Sequence, residues 1–132
     1  MILIKTKCKI FETLISSLKA VIYAPSACNR QAWKFIIIDE KDIKDLICKN
    51  FGSNIIENAP AGILVLYRND VSFNYRLYKD HFQSAAAAIQ NILLSAYESG
   101  LGTCWVCNLP SPKYLKKLLN IPKSYEVIAY MS

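Results

Sequence analysis

The sequence predicts an α+β fold, helices packed on a mixed sheet, and three observations predict it. Short runs of aromatic and β-branched residues alternate along the chain with segments of helical periodicity. One helical segment, 76–99, is long and carries an unbroken run of alanine at 85–88. With 132 residues, 53% hydrophobic and 20% charged, the chain has apolar material for one core and therefore one domain.

Between Ile10 and Ala24, the residues Phe11, Leu14, Ile15, Leu18, Val21 and Ile22 recur at three- and four-residue steps, one face of a helix that Pro25 stops. Ala24 to Gln31 reads as an irregular loop, because Pro25 fixes its own backbone while Ser26 and Asn29 favour bonds from side chain to nearby backbone. Trp33 to Ile38 has strand composition, and Asp39 to Lys49 carries Ile43, Leu46 and Ile47 at helical spacing. After Asn58-Ala59-Pro60, the segment Ala61 to Tyr67 is almost continuously apolar, as a central strand covered on both faces must be.

A polar connection, Asn69 to Asn74, leads into the main helix, Arg76 to Ser99. Tyr78, Phe82, Ala85, Ala86, Ile89, Ile92, Leu93 and Ala96 fall on one side of it, with Arg76, Asp80, Gln83, Gln90 and Glu98 opposite. The alanines thin its flank, so that another helix or a second subunit can approach closely, and Gly100 ends it. Thr103 to Cys107 is a third strand. Ser111 to Leu119 is a helix capped by Ser111 with Pro112 in its first turn, and Tyr125 to Met131 is a fourth strand.

Composition narrows the functional classes. The net charge of +6 comes largely from lysines, Lys5, Lys7 and Lys9 near one end and Lys113, Lys116, Lys117 and Lys123 near the other. Such charge serves solubility or an anionic, phosphate-bearing partner; no nucleic-acid recognition motif accompanies it, so no nucleic-acid partner is expected. Ser84, Gln90, Asn91 and Ser95 interrupt the most apolar segment before it reaches the roughly 18 residues of a membrane span. The first ten residues alternate lysine with apolar residues, unlike a secretory signal, and the expected compartment is the cytoplasm, with no membrane partner. An odd number of cysteines, five, points to reduced thiols. Cys104 and Cys107 have the spacing of a redox dithiol or half a zinc site, but they fall on a strand, and His81 and the other cysteines complete no ligand set. The expectation is therefore buried, inert thiols and no metal. His81, the only histidine, is expected at the surface or an interface with no assigned role.

Three segments together carry a family resemblance: Ala24-Pro25-Ser26-Ala27-Cys28-Asn29-Arg30-Gln31-Ala32-Trp33, then Asn58-Ala59-Pro60-Ala61-Gly62-Ile63, then Gly100-Leu101-Gly102-Thr103-Cys104-Trp105. In order and spacing they resemble the FMN-dependent nitroreductase family, from roughly Leu14 onward. Ala32 stands where that family has proline. The resemblance implies a mainly antiparallel central sheet around the alanine-rich helix, and a flavoenzyme that passes electrons from NADH or NADPH to a small acceptor such as a nitro compound or quinone. It implies FMN contacts from Ser26, Ala27, Asn29 and Gln31, and from the strand at Cys104, Trp105 and Val106. It also implies a homodimer in which both subunits contribute to each flavin.

No catalytic side chain is implied, since the flavin carries the chemistry. Relative to the family, residues 1–132 read as a single domain incomplete at both ends: the arginine-rich segment that grips the phosphate is missing, with Lys5, Lys7 and Lys9 as partial substitutes. The expected pocket lies between the proline-ended first helix and the glycine-ended alanine helix. The second reading is a degenerate domain of the same fold acting as a binding or dimerisation module.

Overall fold

The computed structural model describes residues 2–3, 11–49, 53–71 and 78–132. Lys5, Lys7, Lys9, Cys8 and Arg76 lie outside them. The elements in chain order are β1 (Ile2–Leu3), α1 (Phe11–Lys19), β2 (Trp33–Ile38), α2 (Lys41–Cys48), α3 (Asn54–Asn58), β3 (Gly62–Arg68), α4 (Asp80–Glu98), β4 (Trp105–Val106), α5 (Pro112–Leu118) and β5 (Tyr125–Met131).

The sheet runs β1-β2-β3-β5-β4. β1 pairs parallel to β2, and the other pairings are antiparallel, so the sheet is mixed and mainly antiparallel, as expected. β3 is its central strand, and its backbone from Gly62 to Tyr67 is buried. Alternate side chains leave on opposite faces. Phe35, Ile37, Ile63, Val65 and Tyr67 therefore join α1 and α4 in one core, with Leu14, Leu18, Ala85, Ala88, Ile89 and Ile92. Ile36, Ile38, Leu64, Leu66 and Tyr130 join α2, α3 and α5 in the other, with Ile47, Ile56 and Leu115. The molecule thus has three layers, and the alanines of α4 let α1 and the turn that follows it lie close against that helix.

A register shift between Val65 and Leu66 places Val65 opposite Ala129 and Leu66 opposite Val127. The extra residue, Ile128, is a bulge that bends β5. Gly62 sits under the ring of Tyr130, which would overlap any Cβ placed there. A side chain at position 62 would have to displace one of the largest fully buried groups.

Several elements depart from the sequence reading. The first helix is shorter: it stops at Lys19 and continues as a 3₁₀ turn, Ala20–Tyr23. α4 spans Asp80–Glu98 and follows Lys79 in a left-handed conformation, so Tyr78 and Lys79 are not part of it; the expected start at Arg76 lies outside the described residues. Tyr78 precedes the helix and is exposed rather than packed on its apolar side. The third strand contracts to Trp105–Val106. α3 was not expected, because it is a single turn with too few residues to show periodicity; Ser53 caps it by accepting from the Ile56 amide at 3.4 Å. The cap expected at Ser111 forms, its Oγ accepting from the Tyr114 amide at 3.3 Å.

Candidate functional site

The loop between α1 and β2 is built of strained backbone held by side chains. Cys28, Asn29 and Gln31 have φ of 53°, 52° and 49°, in the left-handed region. Such a conformation costs a residue other than glycine about 1–2 kcal/mol, less for asparagine, and persists only where surrounding contacts enforce it. Here they do. The Asn29 amide donates to the Ser26 carbonyl at 2.8 Å. The Gln31 amide donates to Ser26 Oγ at 2.9 Å, and Gln31 Nε2 donates to Asn29 Oδ1 at 3.1 Å. The loop is also tied to α4: the Ala27 amide donates to Ser84 Oγ at 3.1 Å, while Ser84 Oγ donates to the Asp80 carbonyl at 2.8 Å. Arg30 Nη1 lies 3.4 Å from Asp80 Oδ2.

These bonds use the acceptors of Ser26 and Asn29. The Ser26 hydroxyl proton, the Asn29 amide protons and the Gln31 side-chain carbonyl retain capacity for a ligand. Asn29 and Gln31 are exposed, and Ser26 is half-buried. A cleft of about 320 Å³ opens beside the loop, lined by Pro25, Ser26 and Ala27 on one side and Asp80, Gln83, Ser84 and Ala87 on the other.

The second corner is cheap in backbone strain. Gly100, with φ of 80°, closes α4: its amide donates to the Tyr97 carbonyl at 2.9 Å and the Leu101 amide reaches Ala96 at 2.9 Å, the pair of bonds of a Schellman stop. The chain then enters the sheet edge, Cys104 and Ser132 exchanging backbone bonds of 2.8 and 3.1 Å. Cys104 and Val106 are half-buried and Trp105 is exposed. A second, mostly apolar cleft of about 380 Å³ joins Ala59, Pro60 and Ala61 to Gly102, Thr103 and Cys104.

The structure therefore brings the second and third sequence motifs together, and holds Ser26, Ala27, Asn29 and Gln31 together on one loop. It does not bring the two groups into one cleft of one chain. The loop meets α4 at Ser84, and the glycine corner follows that helix at Gly100, roughly 24 Å further along its axis at 1.5 Å per residue. The pocket expected between the two corners is therefore not found within one chain: α4, too long for both of its ends to border one small cavity, separates them.

Two further expectations are corrected. Cys107 is exposed and Cys104 half-buried, because the strand that was to bury them is only two residues long. His81 is buried, at 1% exposure, rather than at the surface. Its ring lies 4.4 Å from Phe82 and 6.4 Å from Tyr67, its Nε2 is 3.1 Å from Glu126 Oε2 and its Nδ1 is 3.9 Å from Asp80 Oδ1. Sequence reading missed Ser84 and Asp80 as partners of the loop, and Glu126 as a neighbour of His81. The four-residue spacing of Asp80 and Ser84 was visible, but that both would meet a loop 50 and 57 residues away was not.

Elsewhere, burial raises the thiol pKa of Cys48, with the charges of Glu57 and Asp45 adding to it. Burial, then Cys48, raises the phenol of Tyr130. Lys44, buried on α2, donates from Nζ to the Ala59 carbonyl at 2.6 Å and so fixes the end of α3 beside the second cleft. Among the described residues, no three or more His, Cys, Asp or Glu side chains gather as a metal site. No helix among them is long and apolar enough to cross a membrane.

Layers, sheet order and the two corners define a nitroreductase-type α+β protein. The nitroreductase family model matches residues 11–81 and 44–132. A protein of Archaeoglobus fulgidus provisionally named NADH dehydrogenase/NAD(P)H nitroreductase is 33% identical over 125 residues, covering 92% of this chain and 71% of the relative. Two other curated relatives are spanned over only 59% and 56% of their length. An FMN-dependent nitroreductase from Clostridium difficile superimposes with a TM-score of 0.79 at 26% identity, over 98% of this chain and 76% of that one. A Clostridium acetobutylicum protein provisionally named an NADH oxidase gives 0.81 at 29% identity, over 97% and 78%. The chain belongs to the nitroreductase family, and by family to the oxidoreductases.

Proposed function

We propose that the protein is an FMN-dependent oxidoreductase that takes hydride from NADH or NADPH and reduces a small acceptor, a nitro compound or a quinone. The observation that carries this reading is the loop from Pro25 to Gln31. Its left-handed residues are enforced by bonds from Ser26, Asn29 and Ser84, and it presents a hydroxyl, an amide and a carbonyl at the rim of a cleft. Short polar groups on fixed backbone fit the hydrogen-bonding edge and ribityl hydroxyls of FMN. When bound, the flavin supplies two-electron chemistry at its ring. Ser26, Asn29 and Gln31 bind and orient it, and the backbone of Cys104, Trp105 and Val106 approaches it from the other corner. Lys5, Lys7 and Lys9 are the candidate partners of its phosphate. The family membership and the FMN-dependent Clostridium difficile neighbour support the cofactor; the names of the Archaeoglobus and Clostridium acetobutylicum proteins support a nicotinamide donor.

The separation of the two corners supports a homodimer. Gln83, Ala87, Gln90, Leu94 and Tyr97 form a stripe along α4 that faces outward, beside Ile22 and Tyr23. Leu94 is 59% and Tyr97 79% exposed, and Ile22 and Tyr23 are 63% and 80% exposed. Apolar side chains in such a row fit a second protein surface. A two-fold axis through the middle of this stripe packs α4 antiparallel on its copy, which carries the glycine corner of one subunit toward the proline loop of the other. Each flavin site is then completed by two chains.

The test is a purified sample: a yellow protein that releases FMN on denaturation and oxidises NADH or NADPH with a nitro compound or quinone supports the reading. A colourless protein that stays colourless with added FMN contradicts it. That outcome would favour the module reading, to which one observation belongs: the Asp80 carboxylate borders the same cleft as Ser26 and opposes an anionic cofactor.

A further inference from the structure

The strained loop is not held by its own bonds alone. Two long-range ties of the loop, Ala27 to Ser84 Oγ and Arg30 to Asp80, end on the first turn and a half of α4. That turn has no cap from the side chain of the residue before it, since Lys79 is left-handed and makes no capping bond. What fixes its position is the neighbouring residue. His81 points inward between Tyr67 of β3 and Phe82, with Nε2 3.1 Å from Glu126 Oε2 on β5 and Nδ1 3.9 Å from Asp80 Oδ1. His81 is 1% exposed and the Glu126 side chain 24%, so the contact is made at the edge of the interior, where misplacing the imidazole is expensive. A continuous path of polar contacts thus runs from β5 through Glu126, His81 and Asp80 to Arg30, with Ser84 as a parallel tie to Ala27.

We propose that His81 and Glu126 are positioning residues of the 26–31 loop: their contact sets the first turn of α4 against the sheet, and Asp80 and Ser84 transmit that position to the loop. The inference rests on the reading of the loop as the cofactor-binding element, but its geometry concerns the chain alone. It assigns a function to the histidine for which the sequence offered none. It also gives a reason for a histidine and a carboxyl group to meet where an apolar pair would pack: a polar contact fixes one orientation of the helix end, where apolar side chains would tolerate several.

Backbone hydrogen exchange of the full chain without added flavin reads this directly. In Ser84→Ala and in Glu126→Leu, protection of the amides of Ala27, Asn29 and Gln31 falls by about tenfold, while that of Ala88 to Ile92 in the middle of α4 is kept. Glu126→Gln, which keeps the length of the side chain and a polar oxygen beside His81 Nε2, restores loop protection to within about threefold of the parent. Unchanged loop protection in both disruptive variants overturns the inference, as does equal loss along the whole of α4, which would mean a purely structural pair. Flavin-fluorescence titration with FMN separates this from the functional reading. If the parent chain fails to bind FMN, that reading falls and the exchange pattern still decides the positioning role; if the parent binds, Glu126→Leu weakens binding by about tenfold and Glu126→Gln does not.

Discussion

Strand β3 and the loop from Pro25 to Gln31 are stabilised in opposite ways. From Gly62 to Tyr67, β3 is buried on both faces and flanked by paired strands, and no described residue in it has a positive φ. The loop is largely exposed, has three left-handed residues within four positions, and is held by a handful of side-chain bonds. Burial secures the strand, where any apolar residue of similar size would serve. The loop relies on specific partners, and that is the expected condition of a binding element, which needs exposed polar groups in a fixed arrangement.

Substitutions that act on one region alone test this contrast. The largest effect falls on the strand. Leu64→Ala empties a fully buried position and lowers stability by about 2–5 kcal/mol, read by denaturant unfolding. Unfolding should stay cooperative, with loop and core lost together.

A smaller effect follows from pH. The Cys48 thiol and Tyr130 phenol are raised by burial, so the folded chain holds both protons more tightly than the unfolded chain does. Their contribution to stability is present below the ordinary thiol value of 9.0 and is lost progressively as pH rises above it. The melting temperature should fall as pH rises above 9.0 and fall less in Cys48→Ala, whereas a loop-based account of alkaline lability predicts no difference.

The smallest effect falls on the loop. Cys28→Gly relieves a left-handed residue whose side chain is exposed, and raises stability by under about 1 kcal/mol, because the strain relieved slightly exceeds the entropy that glycine adds to the unfolded chain. The same change loosens the loop, so FMN affinity falls as stability rises. A parallel rise of both would show that the strain has no part in binding.

The same contrast explains what could be read from the sequence. β2, β3 and β5 were legible because short runs rich in aromatic and β-branched residues leave few alternatives, and α5 because Ser111 and Pro112 mark its start. α3 was not, being one turn, nor was β1, whose two residues pair with β2 across more than thirty positions. At the candidate site, Ser26, Asn29 and Gln31 were legible as a motif. Their ties to Ser84 and Asp80 were not, because a serine within an alanine-rich helix looks like any small residue until the fold brings the loop to it. The burial of His81 depends on the approach of Glu126 from β5, which local pattern cannot show.

The separation of the two corners gives the most direct test. Equilibrium titration with FMN, followed by quenching of flavin fluorescence, should show saturable binding by the parent chain at one flavin per subunit. Leu94→Arg, placed on the exposed α4 stripe and touching neither corner, should give a folded monomer by sedimentation that no longer binds FMN. A monomeric variant that binds FMN as tightly as the parent would contradict a site shared between two chains.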